Sequence, residues 1–141
     1  MPLSRRTALA ALLVPILVFV VASRAQTPSG APVVTLVIDY GQGVEKRYTR
    51  LAHTPAMTAL DALKAADAMP DPLGLAFEFT GAGETAFVRA IDGLKNEGGA
   101  KGDRNWTFKV NGALAKASAG VTHLAPGDEL RWSYSPFAAD R

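Results

Sequence analysis

One pair of residues in the sequence has the side-chain types that hydrolytic catalysis requires. Ser118 and His123 lie close together along the chain, and a serine activated by a histidine is the centre of nucleophilic acyl transfer. No serine occupies a Gly-x-Ser-x-Gly motif, and proximity in sequence does not bring two side chains together. We therefore expect both residues to be ordinary surface residues, and we predict no catalytic residue and no enzymatic activity.

A second group of residues offers the oxygen ligands that calcium prefers. Asn96 and Glu97 lie between Asp92 and Asp103, but Leu94 occupies the position where an EF-hand loop has its second ligand. Neighbouring lysines also oppose a bound cation. The two histidines are far apart and the chain has no cysteine, so no zinc motif is present either. We predict no metal site and interpret this segment as a glycine-rich turn.

A third group is aromatic and lies in the stretch RNWTFKVNGALA. Alternation places Trp106, Phe108 and Val110 on one face of a predicted strand, and Asn111-Gly112 is typical of a turn. The simplest interpretation is that this face belongs to the core, as does the matching face of ELRWSY near the end of the chain. A tryptophan near a sheet edge with an amide beside it would also suit a ligand. Trp106 and Asn111 are therefore the candidate ligand-binding residues.

The elements that position these residues follow from the periodicity of apolar side chains. VVTLVIDYGQGVEKRYTR predicts a hairpin that turns at GQG. MTALDALKAADAMP predicts a helix that Thr58 and Asp61 begin with a capping box and that Pro70 ends. Further strands are predicted at 77–79, 86–92, 105–111 and 129–134. A hairpin, one helix and several strands predict an α+β fold with the helix on one sheet face.

The N-terminal segment has the pattern of an export signal. Arg5 and Arg6 precede an apolar run at 8–22 that is shorter than the ~20 residues of a membrane-spanning helix. Ser23 and Ala25 suit a signal peptidase, so we predict a signal peptide at 1–25, cleaved after Ala25. An uncleaved anchor and a twin-arginine export route are the alternatives. Residues 26–32, QTPSGAP, predict a flexible linker.

Removing the signal peptide changes the charge of the chain. The full chain has 15 basic and 13 acidic residues; three arginines leave with the signal, so 12 basic and 13 acidic residues remain. A balance this close to neutral gives no reason to expect a nucleic acid or an anionic membrane as a partner. We expect an exported protein located in the periplasm, the cell envelope or the extracellular space, without a disulfide.

Five segments resemble, in order, a known bacterial family. VTLVIDYGQGVEKRY, TALDALKAA, AFVRAIDGLKN, NWTFKVNGALA and HLAPGDELRWSY are similar to the transcobalamin C-terminal-like domain, whose members are mostly of unknown function. The resemblance assigns a domain to 33–135 and a short tail to 136–141. It implies a β-grasp fold, in which a mixed sheet curls around one helix.

The resemblance also implies a ligand. In cobalamin carriers the related domain closes over the vitamin against a helical barrel, and nothing in this sequence resembles that barrel. We therefore predict an exported, non-enzymatic binding module for a cobalamin-like or other small ligand, acting together with a partner protein. The alternative is an envelope-associated protein-interaction module that takes no small molecule.

Overall fold

The computed structural model describes residues 30–136. The predicted signal peptide at 1–25, most of the predicted linker and residues 137–141 of the predicted tail lie outside the described residues. The elements are β1 (Val33–Gly41), β2 (Val44–Ala52), α1 (Ala59–Asp67), β3 (Phe77–Thr80), a 3-10 turn (Gly83–Thr85), β4 (Phe87–Ile91), β5 (Leu94–Lys95), β6 (Arg104–Val110), β7 (Ala113–Leu114) and β8 (Glu129–Pro136).

The larger sheet has five strands in the order β2-β1-β8-β6-β7. β1 and β8 run parallel at its centre, and the other neighbours are antiparallel. The predicted hairpin of β1 and β2 is confirmed, and it turns at Gln42 and Gly43, whose φ angles are 55° and 81°. Positive φ at both central residues is the geometry of a type I′ turn, which matches the twist of the two strands.

Helix α1 begins where the sequence predicted. The hydroxyl of Thr58 accepts a hydrogen bond from the Asp61 N–H (3.2 Å), and the Asp61 carboxylate accepts one from the Thr58 N–H (3.0 Å). The capping box is therefore confirmed, and the helix ends at Asp67, shortly before Pro70. Leu60 and Leu63 face the core. One helix packed with two sheets confirms the α+β prediction. Among residues 30–136, no helix is long and apolar enough to cross a membrane.

The predicted strands are present, but they belong to two sheets. β3, β4 and β5 form a separate three-stranded sheet. The segment interpreted from the sequence as a glycine-rich turn also contains a short strand, because Asp92 and Gly93 adopt φ angles of 46° and 81° and turn the chain back into β5. Asp-Gly is a typical sequence for this type of turn. Val88 and Ile91 of β4 are buried in the same core as the larger sheet.

The predicted inward face of the larger sheet is confirmed. Trp106, Phe108, Leu130, Trp132 and Tyr134 are at most 9% exposed. The rings of Phe108 and Trp132 lie 4.6 Å apart, and those of Trp106 and Tyr134 lie 5.1 Å apart. Two tilted aromatic pairs therefore form the inward face of the larger sheet, against which the helix and the smaller sheet pack.

Candidate functional site

The two sheets meet along a seam between β4 and β6, and one asparagine closes part of it. The side-chain amide of Asn96 donates to the carbonyl of Val88 (2.9 Å) and accepts from the N–H of Trp106 (2.8 Å). One amide thus pairs with a backbone group from each sheet, as a strand would. Beyond Asn96, towards Phe87 and Phe108, the seam opens into a cleft of about 330 Å³.

The cleft is apolar on its floor and on its rim. Trp106, Phe108 and Trp132 form the floor, and Phe87 and Leu114 stand at the rim. Phe87 is 59% exposed and Leu114 is 61% exposed. Two large apolar side chains that are this exposed, beside a cavity of ligand-binding size, are typical of a surface that another molecule covers.

The two tryptophans of the floor differ in their hydrogen bonds. The indole N–H of Trp106 donates to the carbonyl of Leu94 (2.8 Å). The indole N–H of Trp132 is buried and has no hydrogen-bond partner among residues 30–136. A buried donor without an acceptor destabilises the folded state by about 1–3 kcal/mol. The floor therefore contains one buried polar group that has no acceptor among residues 30–136.

The far wall of the cleft is a loop held by one serine. The Ser118 hydroxyl lies 2.9 Å from the carbonyl of Gly83 and 2.7 Å from that of Ala86, and it accepts from the N–H of Gly120 (3.1 Å). A Cβ at Gly120 would lie 2.3 Å from the Gly83 carbonyl oxygen, so only glycine permits this approach. The loop is therefore fixed tightly against the turn that precedes β4.

Only one of the two predicted ligand-binding residues lies at this cleft. Trp106 forms part of its floor. Asn111 is at the β6–β7 turn, with φ of 49°, and its amide donates to Asp128 (2.8 Å) and accepts from the Glu129 N–H (2.9 Å). Its amide therefore serves the turn, and it is not among the residues that line the cleft. Whether either residue binds a ligand stays a prediction.

The rim and the far wall of the cleft were not predicted from the sequence. Phe87 lies within a predicted strand, and Leu114 follows the Asn111-Gly112 turn. Both are apolar residues on short strands next to turns, and this is the only feature of the sequence that could have indicated an exposed apolar position. Phe87 belongs to the smaller sheet and Leu114 to the larger one. Their meeting at one cleft depends on contacts between distant segments, which no local pattern encodes.

The residues considered for catalysis and for calcium have structural contacts. The Ser118 hydroxyl bonds to backbone carbonyls, whereas His123 Nδ1 lies 3.3 Å from the carbonyl of Ala56. Glu97 accepts from the Arg104 N–H. In the part of the chain that the structure describes, no group of three or more acidic or histidine side chains is placed to hold a metal ion.

A polar cluster around Asp92 lies at the turn between β4 and β5. The Asp92 carboxylate accepts hydrogen bonds from the Tyr40 hydroxyl, from Lys46 (3.0 Å) and from the Ala76 N–H (2.9 Å). Burial acts to raise the pKa of Asp92, but these three donors outweigh it and leave the pKa below its ordinary value. Burial, followed by the bond to Asp92, raises the pKa of Tyr40. This cluster fixes the turn that leads into β5.

Comparison with known proteins identifies a family and a similar fold. The model of a domain of unknown function, DUF4430, matches residues 56–136, which include α1 and every residue of the cleft. A crystal structure of a candidate metal-binding protein from Ruminococcus gnavus ATCC 29149 is similar to this chain, with a TM-score of 0.56 and 14% identity. The similarity covers 74% of this chain and 96% of that one. No curated protein matches the sequence.

Proposed function

The chain belongs to the DUF4430 family, a domain of unknown function whose model matches more than half of its length. The family therefore names no activity, and we propose a function for the protein from the structure of the cleft. The protein is a non-enzymatic binding module, and the cleft between β4 and β6 receives an apolar group. Export places it in the periplasm, the cell envelope or the extracellular space.

The observation that carries this proposal is the exposed rim. Phe87 and Leu114 are both exposed to water at the edge of a cavity whose floor is aromatic. Covering exposed apolar surface stabilises a complex by roughly 25 cal/mol per Å² before the costs of association. The aromatic floor is part of the buried core, so it need not reorganise when a ligand enters.

The contacts of the reactive residues support a role without catalysis. The Ser118 hydroxyl holds the far wall of the cleft, and the Asp92 carboxylate holds the β4–β5 turn. Catalysis needs a nucleophile and a base within reach of each other at a site that a substrate can enter. The proposal likewise takes no metal ion as ligand: the Ruminococcus gnavus protein shares only the fold at 14% identity.

The first candidate occupant is a small molecule with a large apolar surface, for which cobalamin is the specific example. The strand order β2-β1-β8-β6-β7 with one helix supports the β-grasp arrangement that the family resemblance implies. A cleft of about 330 Å³ encloses only part of a molecule as large as cobalamin. A partner protein would then cover the remainder of the ligand.

The second candidate is a protein-interaction module with no small-molecule ligand. This candidate is favoured by the backbone of β6 at the cleft, where the Trp106 carbonyl and the Phe108 N–H have no hydrogen-bond partner among residues 30–136. Both candidates place an apolar group in the cleft that Phe87 and Leu114 border, so both depend on the same rim.

The test uses an apolar fluorescent probe, 1-anilinonaphthalene-8-sulfonate, with the purified protein. We expect the native protein to bind the probe, and we expect Phe87→Ser and Leu114→Ser each to weaken binding about tenfold. Leu73→Ser is the matched control, because Leu73 is 63% exposed and is not among the residues that line the cleft. Equal binding by all four proteins would contradict the proposed site.

Equilibrium dialysis against cobalamin then tests the specific ligand. Retention of the corrin absorbance by the native protein, reduced in Phe87→Ser, would support cobalamin. Absence of retention at millimolar cobalamin, with binding of the fluorescent probe intact, would remove cobalamin and leave the cleft as a site for another apolar group.

A further inference from the structure

The free edge of β6 carries one unpaired set of backbone groups at the cleft. Residues of β6 alternate in the direction of their backbone groups, and Thr107 faces β8, where it lies opposite Ser133. The backbone groups of Trp106 and Phe108 point away from β8. The Trp106 N–H donates to the Asn96 side chain, and the Phe108 carbonyl accepts from the Ala115 N–H (3.1 Å). These two bonds occupy the edge on either side of Thr107.

Between those two bonds the edge is open. Among residues 30–136, the Trp106 carbonyl and the Phe108 N–H have no hydrogen-bond partner. Both residues line the cleft. A strand edge with a free acceptor and a free donor on either side of one residue is the template that an extended peptide uses when it adds to a sheet.

The Asn96 side chain shows which kind of chemical group pairs with this edge of β6. The Asn96 side chain pairs with β6 through an amide, and the same amide reaches the Val88 carbonyl across the seam. The open position is the next one along the same edge. A second amide-bearing chain would therefore continue the pairing that Asn96 begins.

We propose that the cleft binds an extended peptide segment of a partner protein, which pairs with the Trp106 carbonyl and the Phe108 N–H and places apolar side chains in the cleft against Trp106 and Phe108. This rests on the proposed function, because it assigns the occupant of the same cleft. Asn96 and Ala115 occupy the neighbouring edge positions, so the pairing extends over one residue of the peptide.

The geometry of a sheet also predicts the pattern of the peptide. The peptide residue opposite Thr107 points to the outer face of the sheet, as Thr107 does, because side chains opposite each other share a face. The residues before and after it point inward, towards Trp106 and Phe108. A polar residue between two apolar residues therefore fits this edge, and the inverse pattern does not.

The test is a titration of the ¹⁵N-labelled protein with a blocked leucyl-seryl-leucine tripeptide, followed by NMR. We expect saturable binding in the millimolar range or tighter, with the Phe108 amide signal moving downfield as its N–H gains an acceptor. N-methylation at either the serine or the second leucine removes the peptide donor that faces Trp106. One of these two analogues should bind about tenfold more weakly, and which one does so gives the direction of the peptide. A blocked seryl-leucyl-serine tripeptide has the inverse order of apolar and polar residues and is the control, which we expect to bind more weakly.

The outcomes separate this inference from the proposed function. Binding that neither N-methylation weakens, or an unmoved Phe108 amide, overturns the peptide pairing. Binding of the fluorescent probe that depends on Phe87, without binding of the tripeptide, overturns the peptide and leaves the apolar cleft standing. Failure of the probe and the tripeptide together overturns both.

Discussion

At the scale of single residues, the cleft is defined by contrasts between similar side chains. Trp106 and Trp132 share one floor, yet only the first has a hydrogen-bond partner for its indole N–H in the described chain. The alternation of apolar residues predicted that both are buried. It could not predict their hydrogen bonds, because the Leu94 carbonyl reaches Trp106 only through the β4–β5 hairpin.

The contrast predicts different costs for the same substitution. Trp106→Phe and Trp132→Phe both remove part of a buried ring, but only Trp106→Phe breaks a hydrogen bond. We expect Trp106→Phe to lower the free energy of unfolding by about 1 kcal/mol more than Trp132→Phe does. Urea unfolding of both variants, followed by circular dichroism, measures the difference. A larger loss for Trp132→Phe would contradict the assignment of the two indole groups.

A second residue-scale prediction concerns acid stability. The pKa of Asp92 is lowered in the folded protein, so its carboxylate stabilises the fold above the ordinary pKa of 3.8, and this stabilisation is lost as the pH falls through the lowered folded value. We expect Asp92→Asn to reduce the dependence of unfolding free energy on pH in that range.

Tyr40→Phe provides the matched variant, because it keeps the carboxylate and removes one of its donors. The pKa of Asp92 should then rise towards its ordinary value, and the acid dependence should fall between those of the native protein and Asp92→Asn. Urea midpoints at several acidic pH values measure this. Identical pH profiles for all three proteins would contradict the role of the cluster.

At the scale of elements, the sequence predicted the features that depend on interactions between residues close together in the chain. The capping box of Thr58 and Asp61, the β1–β2 hairpin and the inward face of β6 and β8 all depend on neighbours in sequence. The division into two sheets and the seam at Asn96 depend on contacts between distant segments. β5 and β7 have two residues each, which is too short for a periodic pattern to appear.

The far wall of the cleft gives a prediction at this scale. Ser118→Ala removes the hydroxyl that joins the 118–120 loop to the turn before β4, so we expect a loss of about 1 kcal/mol in unfolding free energy and weaker binding of the fluorescent probe. Ser133→Ala, on the strand that pairs with β6, is the control and should change neither. Equal effects of the two variants on probe binding would argue against a wall held by Ser118.

At the scale of the whole molecule, the chain combines a predicted export signal with a small α+β domain. The family model begins at residue 56, after the β1–β2 hairpin, although β1 forms the centre of the larger sheet with β8. The cleft lies entirely within the matched region. The hairpin therefore completes the core, and the matched region contains the whole cleft.

The predicted signal peptide implies a specific mature N-terminus. Cleavage after Ala25 leaves Gln26 as the first residue of the exported protein. Mass spectrometry of the protein recovered from the producing cells, fractionated into cytoplasm and envelope, measures this mass. Recovery of the full-length chain in the membrane fraction would instead support an uncleaved anchor.

The central claim is that the cleft over Trp106 and Trp132 receives an apolar group. These are the two tryptophans of the chain, so the protein has two indole N–H signals in a ¹⁵N NMR spectrum. The most direct measurement is to follow both during titration with 1-anilinonaphthalene-8-sulfonate. The account predicts that both signals move as the probe binds and that Phe87→Ser weakens this response. Probe binding that leaves both indole signals in place would contradict it.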